Sequence, residues 1–96
     1  MRRDIIIHDP DYLQFIRTKP CCVCGNPGVD SDHLVHQGWR GAKRNDLTAI
    51  PMCREDHTAR HKIGTDGINE KYGVNLWREA AWLLIEYFQE IKNGQS

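Results

Sequence analysis

The sequence predicts a small α+β fold, stapled by metal and flanked by helices. Three observations predict it. Two short stretches, Val29–Val35 and Leu47–Met52, the second carrying Leu47, Ala49, Ile50 and Met52, read as strands. Cys21-x-x-Cys24 stands in a turn made by Gly25, Pro27 and Gly28. Trp77, Ala80, Ala81, Leu84, Phe88 and Ile91 recur at spacings of three and four, which predicts an amphipathic helix over about 75–92. With 96 residues the chain is expected to form one domain over 1–96, with its core at about 20–64. A core so thin calls for a staple.

The elements follow in order. Asp9-Pro10 reads as an N-cap with Pro at the first helical position. Tyr12, Leu13 and Ile16 then share a helical face, and Pro20 closes the segment. Cys21 to Gly28 is a tight turn leading into the first strand. His36 to Asp46 is polar and carries Gly38 and Gly41, so it reads as a loop before the second strand. Cys53 to Lys62 reads as a helix ended by Gly64, and Asp66 to Tyr72 as a short helix stopped by Gly73. Asn75 is the expected N-cap of the last helix, whose aromatic residues are read as core.

Composition narrows the function classes. The chain balances 13 basic against 13 acidic residues, so its overall charge does not point to nucleic acid. The charge is unevenly spread, however. Arg40, Lys43, Arg44, Arg54, Arg60 and Lys62 lie between Trp39 and Lys62. No apolar run approaches the ~20 residues of a membrane span. The apolar run Ile5-Ile6-Ile7 is too short for a signal-peptide core, so the sequence is read as cytoplasmic, without a membrane partner. In that reducing setting the four Cys suggest metal or a redox pair rather than a disulfide scaffold. The turn after Cys24 argues against the thioredoxin-like arrangement, which needs a helix opening on the pair.

Two groups of metal ligands can be separated. Cys21 and Cys24 form a knuckle, and Cys53 stands where a helix begins. Helix N-termini favour thiolates through their orphan N–H groups. Three thiols so arranged predict a structural Zn²⁺, with Cys22 left to packing. At about 100° per residue, Asp56 falls near −60° from Cys53, His57 near +40° and His61 near +80°. Asp56 therefore shares the flank of Cys53 and is the expected fourth ligand. His57 and His61, at i and i+4, face the other way and form a divalent-ion clamp. Asp32-His33 lies on the first strand, where adjacent side chains point to opposite faces. Asp32 can join the clamp as a hard ligand, and His33 is then free to act as a base.

These residues resemble a known family. Cys21-x-x-Cys24, Asp32-His33, Asp46 and Pro51-Met52-Cys53-x-x-x-His57-x-x-x-His61 look like an HNH endonuclease of the His-Me finger superfamily. The chain is similar in particular to the phage and prophage group related to recombination-enhancement nucleases, over roughly residues 10–80. The resemblance implies a zinc-bound treble clef with a ββα-metal core. It implies His33 as general base and Asp32, His57 and His61 as ligands of one catalytic ion, Mg²⁺ or another divalent metal. It implies structural Zn²⁺ on Cys21, Cys24 and Cys53, with Asp56 where relatives place Cys or His. The residue that orients the base is implied at Asn45 or Asp46. The expected activity is DNA phosphodiester hydrolysis in a bacterial host cell, with a recombinase or another phage protein as a further partner. Arg40, Lys43, Arg44 and Arg60 are the expected phosphate contacts. The reading from another class stays open: a zinc-stapled DNA- or protein-binding module without catalysis.

Overall fold

The computed structural model describes residues 6–34 and 45–94. Their order is α1 (Pro10–Arg17), β1 (Asp30–His33), a 3₁₀ turn (Asp46–Thr48), β2 (Ala49–Met52), α2 (Arg54–Tyr72) and α3 (Leu76–Gly94). The described fold is α+β: three helices around one two-stranded antiparallel sheet. The register pairs Asp30 with Met52, Asp32 with Ile50 and His33 with Ala49.

Local chemistry explains each boundary. Asp9 caps α1 through the Tyr12 N–H, and Pro10 fills the first turn, where no N–H partner is needed. The predicted second strand begins two residues later than expected. Asn45 accepts the Leu47 N–H and pulls Leu47 and Thr48 into the 3₁₀ turn. Cys53 caps α2 with its sulfur, which accepts from the Asp56 N–H. Gly64, at φ 81° and ψ 169°, interrupts α2 where the sequence ends the first helix. Gly73 closes the second half in the left-handed conformation.

The core lies between α1, the sheet and α3. Tyr12 and Ile16 of α1 meet Ile50 and Met52 of β2, Ile68 of α2, and Leu76 and Leu83 of α3. The Tyr12 ring stacks on Phe15 and meets the edge of Tyr87, with ring centroids 5.8 and 4.9 Å apart. Cys22 packs against this core, as expected. Burial pushes its thiol up to about 12, with Glu79 and Cys21 adding to the effect.

The buried face of α3 keeps Ala80, Trp77 and Leu84 of the expected one, the last two partly buried against the core, and corrects the rest. Leu76, Ala80 and Leu83 are buried and Tyr87 is partly so, whereas Phe88 and Ile91 are 56% and 38% exposed. Ala81 is exposed as well. Both faces satisfy a spacing of three and four, and the apolar residues of α3 run more than halfway around it. The contact that decides between them is the ring cluster of Tyr12, Phe15 and Tyr87. No described helix is long and apolar enough to cross a membrane.

Candidate metal centres and the His33 dyad

β1 and the first half of α2 carry nearly all of the chemistry. Asp32, His57 and His61 bring one ligand atom each to within 4.8 Å of one another. Cys21, Cys24, Cys53 and Asp56 do the same in a second cluster. The helix is therefore shared as its angular positions predict, with Asp56 beside Cys53 and His57 turned to β1.

The cysteine cluster could hold a metal ion. Cys24 Sγ lies 3.7 Å from Cys53 Sγ, and Asp56 Oδ2 lies 3.3 and 3.2 Å from Cys21 and Cys53. A tetrahedral ion with ~2.3 Å bonds to sulfur has S···S edges of about 3.8 Å. The donor set and its spacing fit such an ion. Burial pushes the Cys53 thiol up to about 12; the Asp56 N–H opposes this, and the Asp56 carboxylate, Cys24 and Cys21 reinforce it. Three sulfurs and a carboxylate cannot share charge at this spacing without a cation, so the donors and an ion would stabilise each other.

The second cluster is built around Asp32, which is 1% exposed. His57 Nε2 lies 3.4 Å from Asp32 Oδ1, and the His57 and His61 rings are 4.8 Å apart between centroids. Two further contacts were not expected from the sequence. Asp30 Oδ2 lies 3.1 Å from His57 Nδ1 and 3.3 Å from Arg54 Nε. Asp30 and Asp32 thus approach the two ring nitrogens of His57, and with an ion on Nε2 the Nδ1 hydrogen would be donated to Asp30. The period-two pattern of a strand did carry this clue, since Asp30 and Asp32 share a face.

The second contact corrects an expectation. Arg60 is not a surface residue available to phosphate but is 5% exposed. Its Nε and Nη2 donate to the two oxygens of Asp32 at 2.5 and 2.7 Å. Arg60 stands seven residues after Cys53, and this helical position turns it under β1 rather than outward. Of the other expected phosphate contacts, Arg40, Lys43 and Arg44 lie outside the described residues.

His33 points away from Asp32, as strand geometry requires. Its Nε2 lies 2.8 Å from Asp46 Oδ1. Asp46 Oδ2 accepts the Asp9 N–H at 2.7 Å. Burial disfavours the ionised Asp46, but the Asp9 N–H and the His33 hydrogen bond outweigh it and hold its carboxyl below the usual range. Asp46 therefore accepts and His33 Nε2 donates, which leaves Nδ1 as the ring nitrogen that can exchange a proton. Between the two candidates for orienting the ring, the geometry selects Asp46. Asn45 instead caps the 3₁₀ turn and pairs with Ile7.

Comparison with known proteins adds a family. The family described as "Protein of unknown function (DUF968)" matches residues 3–84. The chain is 39% identical over 67 residues to the uncharacterized protein YdfU of Escherichia coli (strain K12). That alignment covers 68% of this chain but only 19% of the relative's length. No solved structure matches.

Proposed function

The chain belongs to the DUF968 family, and we propose that it is a metal-dependent DNA endonuclease of the HNH type. The observation that carries this reading is the juxtaposition on β1. Asp32 enters a ligand cluster with His57 and His61, and the next residue, His33, is held by the ionised Asp46. The fold around it would be a treble clef with a ββα-metal core, stapled by zinc on Cys21, Cys24, Cys53 and Asp56.

His33 supplies the base. With Nε2 committed to Asp46, its Nδ1 lone pair takes a proton from water, and Asp46 stabilises the imidazolium that results. Asp9 and Ile7 fix Asp46 in turn, through the Asp9 N–H and the Ile7 carbonyl. Asp32, His57 and His61 would hold one divalent ion, Mg²⁺ or another, with Asp30 fixing the His57 ring. When bound, that ion supplies Lewis-acid polarisation of the scissile phosphate and neutralises charge on the leaving oxygen. Arg40, Lys43 and Arg44 are proposed to contact the DNA backbone. The setting would be the cytoplasm of a bacterial host, with a recombinase or another phage protein as recruiting partner.

A second reading rests on Arg60. Its fork satisfies both Asp32 oxygens without any ion, as in a zinc-stapled binding module that cleaves nothing. That reading leaves the His33–Asp46 dyad and the paired imidazoles without a task. Nicking of supercoiled plasmid by zinc-loaded protein, with Mg²⁺, Mn²⁺ or Ni²⁺ added, decides between them. Metal-dependent nicking lost in His33→Ala supports the nuclease. Equal nicking by both proteins, or none by either, favours the binding module.

A further inference from the structure

Arg60 makes the Asp32 carboxylate an unusual ligand. A guanidinium stays charged throughout the working pH range, so its fork on Asp32 persists. A side-on fork takes one lone pair from each oxygen. Oδ1, 3.4 Å from His57 Nε2, keeps a second lone pair on the side of the imidazoles. Asp32 can thus offer an ion a single oxygen, and the charge on that oxygen is already answered by Arg60. Arg60 Nη2 also donates to the His33 carbonyl at 3.4 Å, a second point of attachment to β1.

The His57 imidazole is affected in the opposite sense. Asp30 at His57 Nδ1 makes Nε2 a stronger donor. Mg²⁺ draws its protein affinity from anionic oxygen and gives up water reluctantly. Ni²⁺, Co²⁺ and Zn²⁺ draw theirs largely from imidazole. Weakening the carboxylate while strengthening a histidine moves selectivity in one direction.

We propose that Arg60 is the residue that sets ion selectivity at the Asp32–His57–His61 cluster, turning it from Mg²⁺ toward borderline transition-metal ions. The inference rests on the reading of that cluster as a divalent-ion site. Arg60 is a positioning residue here: it acts on the ion through Asp32.

The test is calorimetric and needs no cleavage assay. The full chain, with one equivalent of zinc on its cysteines, is titrated separately with Mg²⁺, Mn²⁺ and Ni²⁺, and binding that survives His61→Ala is not counted. Ni²⁺ should bind the unaltered chain about 10³-fold or more tighter than Mg²⁺. Arg60→Gln keeps a donor but removes the charge, and should narrow that ratio about tenfold or more by strengthening Mg²⁺ and Mn²⁺. Arg60→Lys keeps the charge without the fork and should fall between. A folded Arg60→Gln protein, checked by circular dichroism, with an unchanged ratio would overturn the proposal. So would micromolar Mg²⁺ binding by the unaltered chain, which decides the matter even where Arg60→Gln fails to fold. If no ion binds at the cluster, the nuclease reading fails with it. If ions bind but Arg60 does not move the ratio, only the selectivity proposal fails.

Discussion

Asp46 joins His33 to the start of α1: one carboxylate oxygen accepts from His33 Nε2 at 2.8 Å and the other from the Asp9 N–H at 2.7 Å. Asp9 in turn caps α1 through its own side chain. The ring that is to move a proton is thus anchored to the helix whose Tyr12 and Ile16 form the core. Its orientation therefore depends on the seating of α1 as well as on the 3₁₀ turn that carries Asp46.

The dyad has an acid signature. The Asp46 carboxyl is held below its usual range in the folded chain, so its contribution to stability is present above the unfolded carboxyl range. That contribution is lost as pH falls below about 4 and through the folded value. Asp46→Asn removes it at every pH. The stability gap between the two proteins should be open at pH 7 and shrink on acidification, as read by urea denaturation at each pH. A gap that widens in acid would contradict the hydrogen-bond assignment.

His33→Ala should lower plasmid nicking by ~10²–10⁴-fold, the usual scale of a general base. Zinc content, circular dichroism and binding of the second ion should be retained, because His33 belongs to neither ligand cluster. Near-normal nicking by this variant, once contaminating nuclease is removed, would assign the base elsewhere.

Legibility from sequence followed the range of each interaction. The Asp9-Pro10 start of α1 and the Gly64 and Gly73 breaks rest on contacts within a few residues, and all were readable. Helical angles also divided Asp56 from His57 and His61. Partners far apart in the chain were not readable. Arg60 meets Asp32 across 28 residues: its helical angle, about −20° from Cys53, puts it on the flank toward β1 but does not name its partner there. Choosing Asp46 over Asn45 needed the contact with His33, which lies across the 13 residues between β1 and the 3₁₀ turn.

Asp30→Ala should weaken ion binding at the second cluster about 10–100-fold while zinc stays on the cysteines. Asp30→Asn, whose carbonyl can still accept the Nδ1 hydrogen, should retain much of the affinity. Long-range ¹⁵N NMR adds a readout that a merely structural role would leave unmoved. His57 should be the Nδ1–H tautomer in the unaltered chain and a mixture in Asp30→Ala. A single tautomer in both proteins would show that Asp30 does not set it.

The face of α3 can be tested by a pair of truncations. Leu83→Ala should cost about 2–5 kcal/mol, because Leu83 is buried beside α1 and the sheet. Phe88→Ala should stay within about 1 kcal/mol, since the ring is 56% exposed and only its edge meets Tyr87. Chemical denaturation of both variants gives the comparison. The reverse order would restore the helical face that spacing alone suggested.

The last prediction concerns the odd ligand of the cysteine cluster. Asp56 Oδ2 stands within 3.3 Å of both Cys21 and Cys53, in the position of a fourth donor. Oxygen is a poorer partner than sulfur for a borderline-soft ion, so this site should yield zinc to chelators sooner than a four-thiolate site. Loss of the ion should release more than the knuckle. Cys53 caps α2, and the same helix carries His57, Arg60 and His61, so chelation should weaken binding at the second cluster as well. Asp56→Cys should slow zinc loss and raise the melting temperature while leaving nicking within a few-fold, because Asp56 lies on the flank away from Asp32. Competition with a chromogenic chelator, run beside a thermal melt, measures both effects. Faster zinc loss from Asp56→Cys than from the unaltered chain would place the fourth ligand elsewhere.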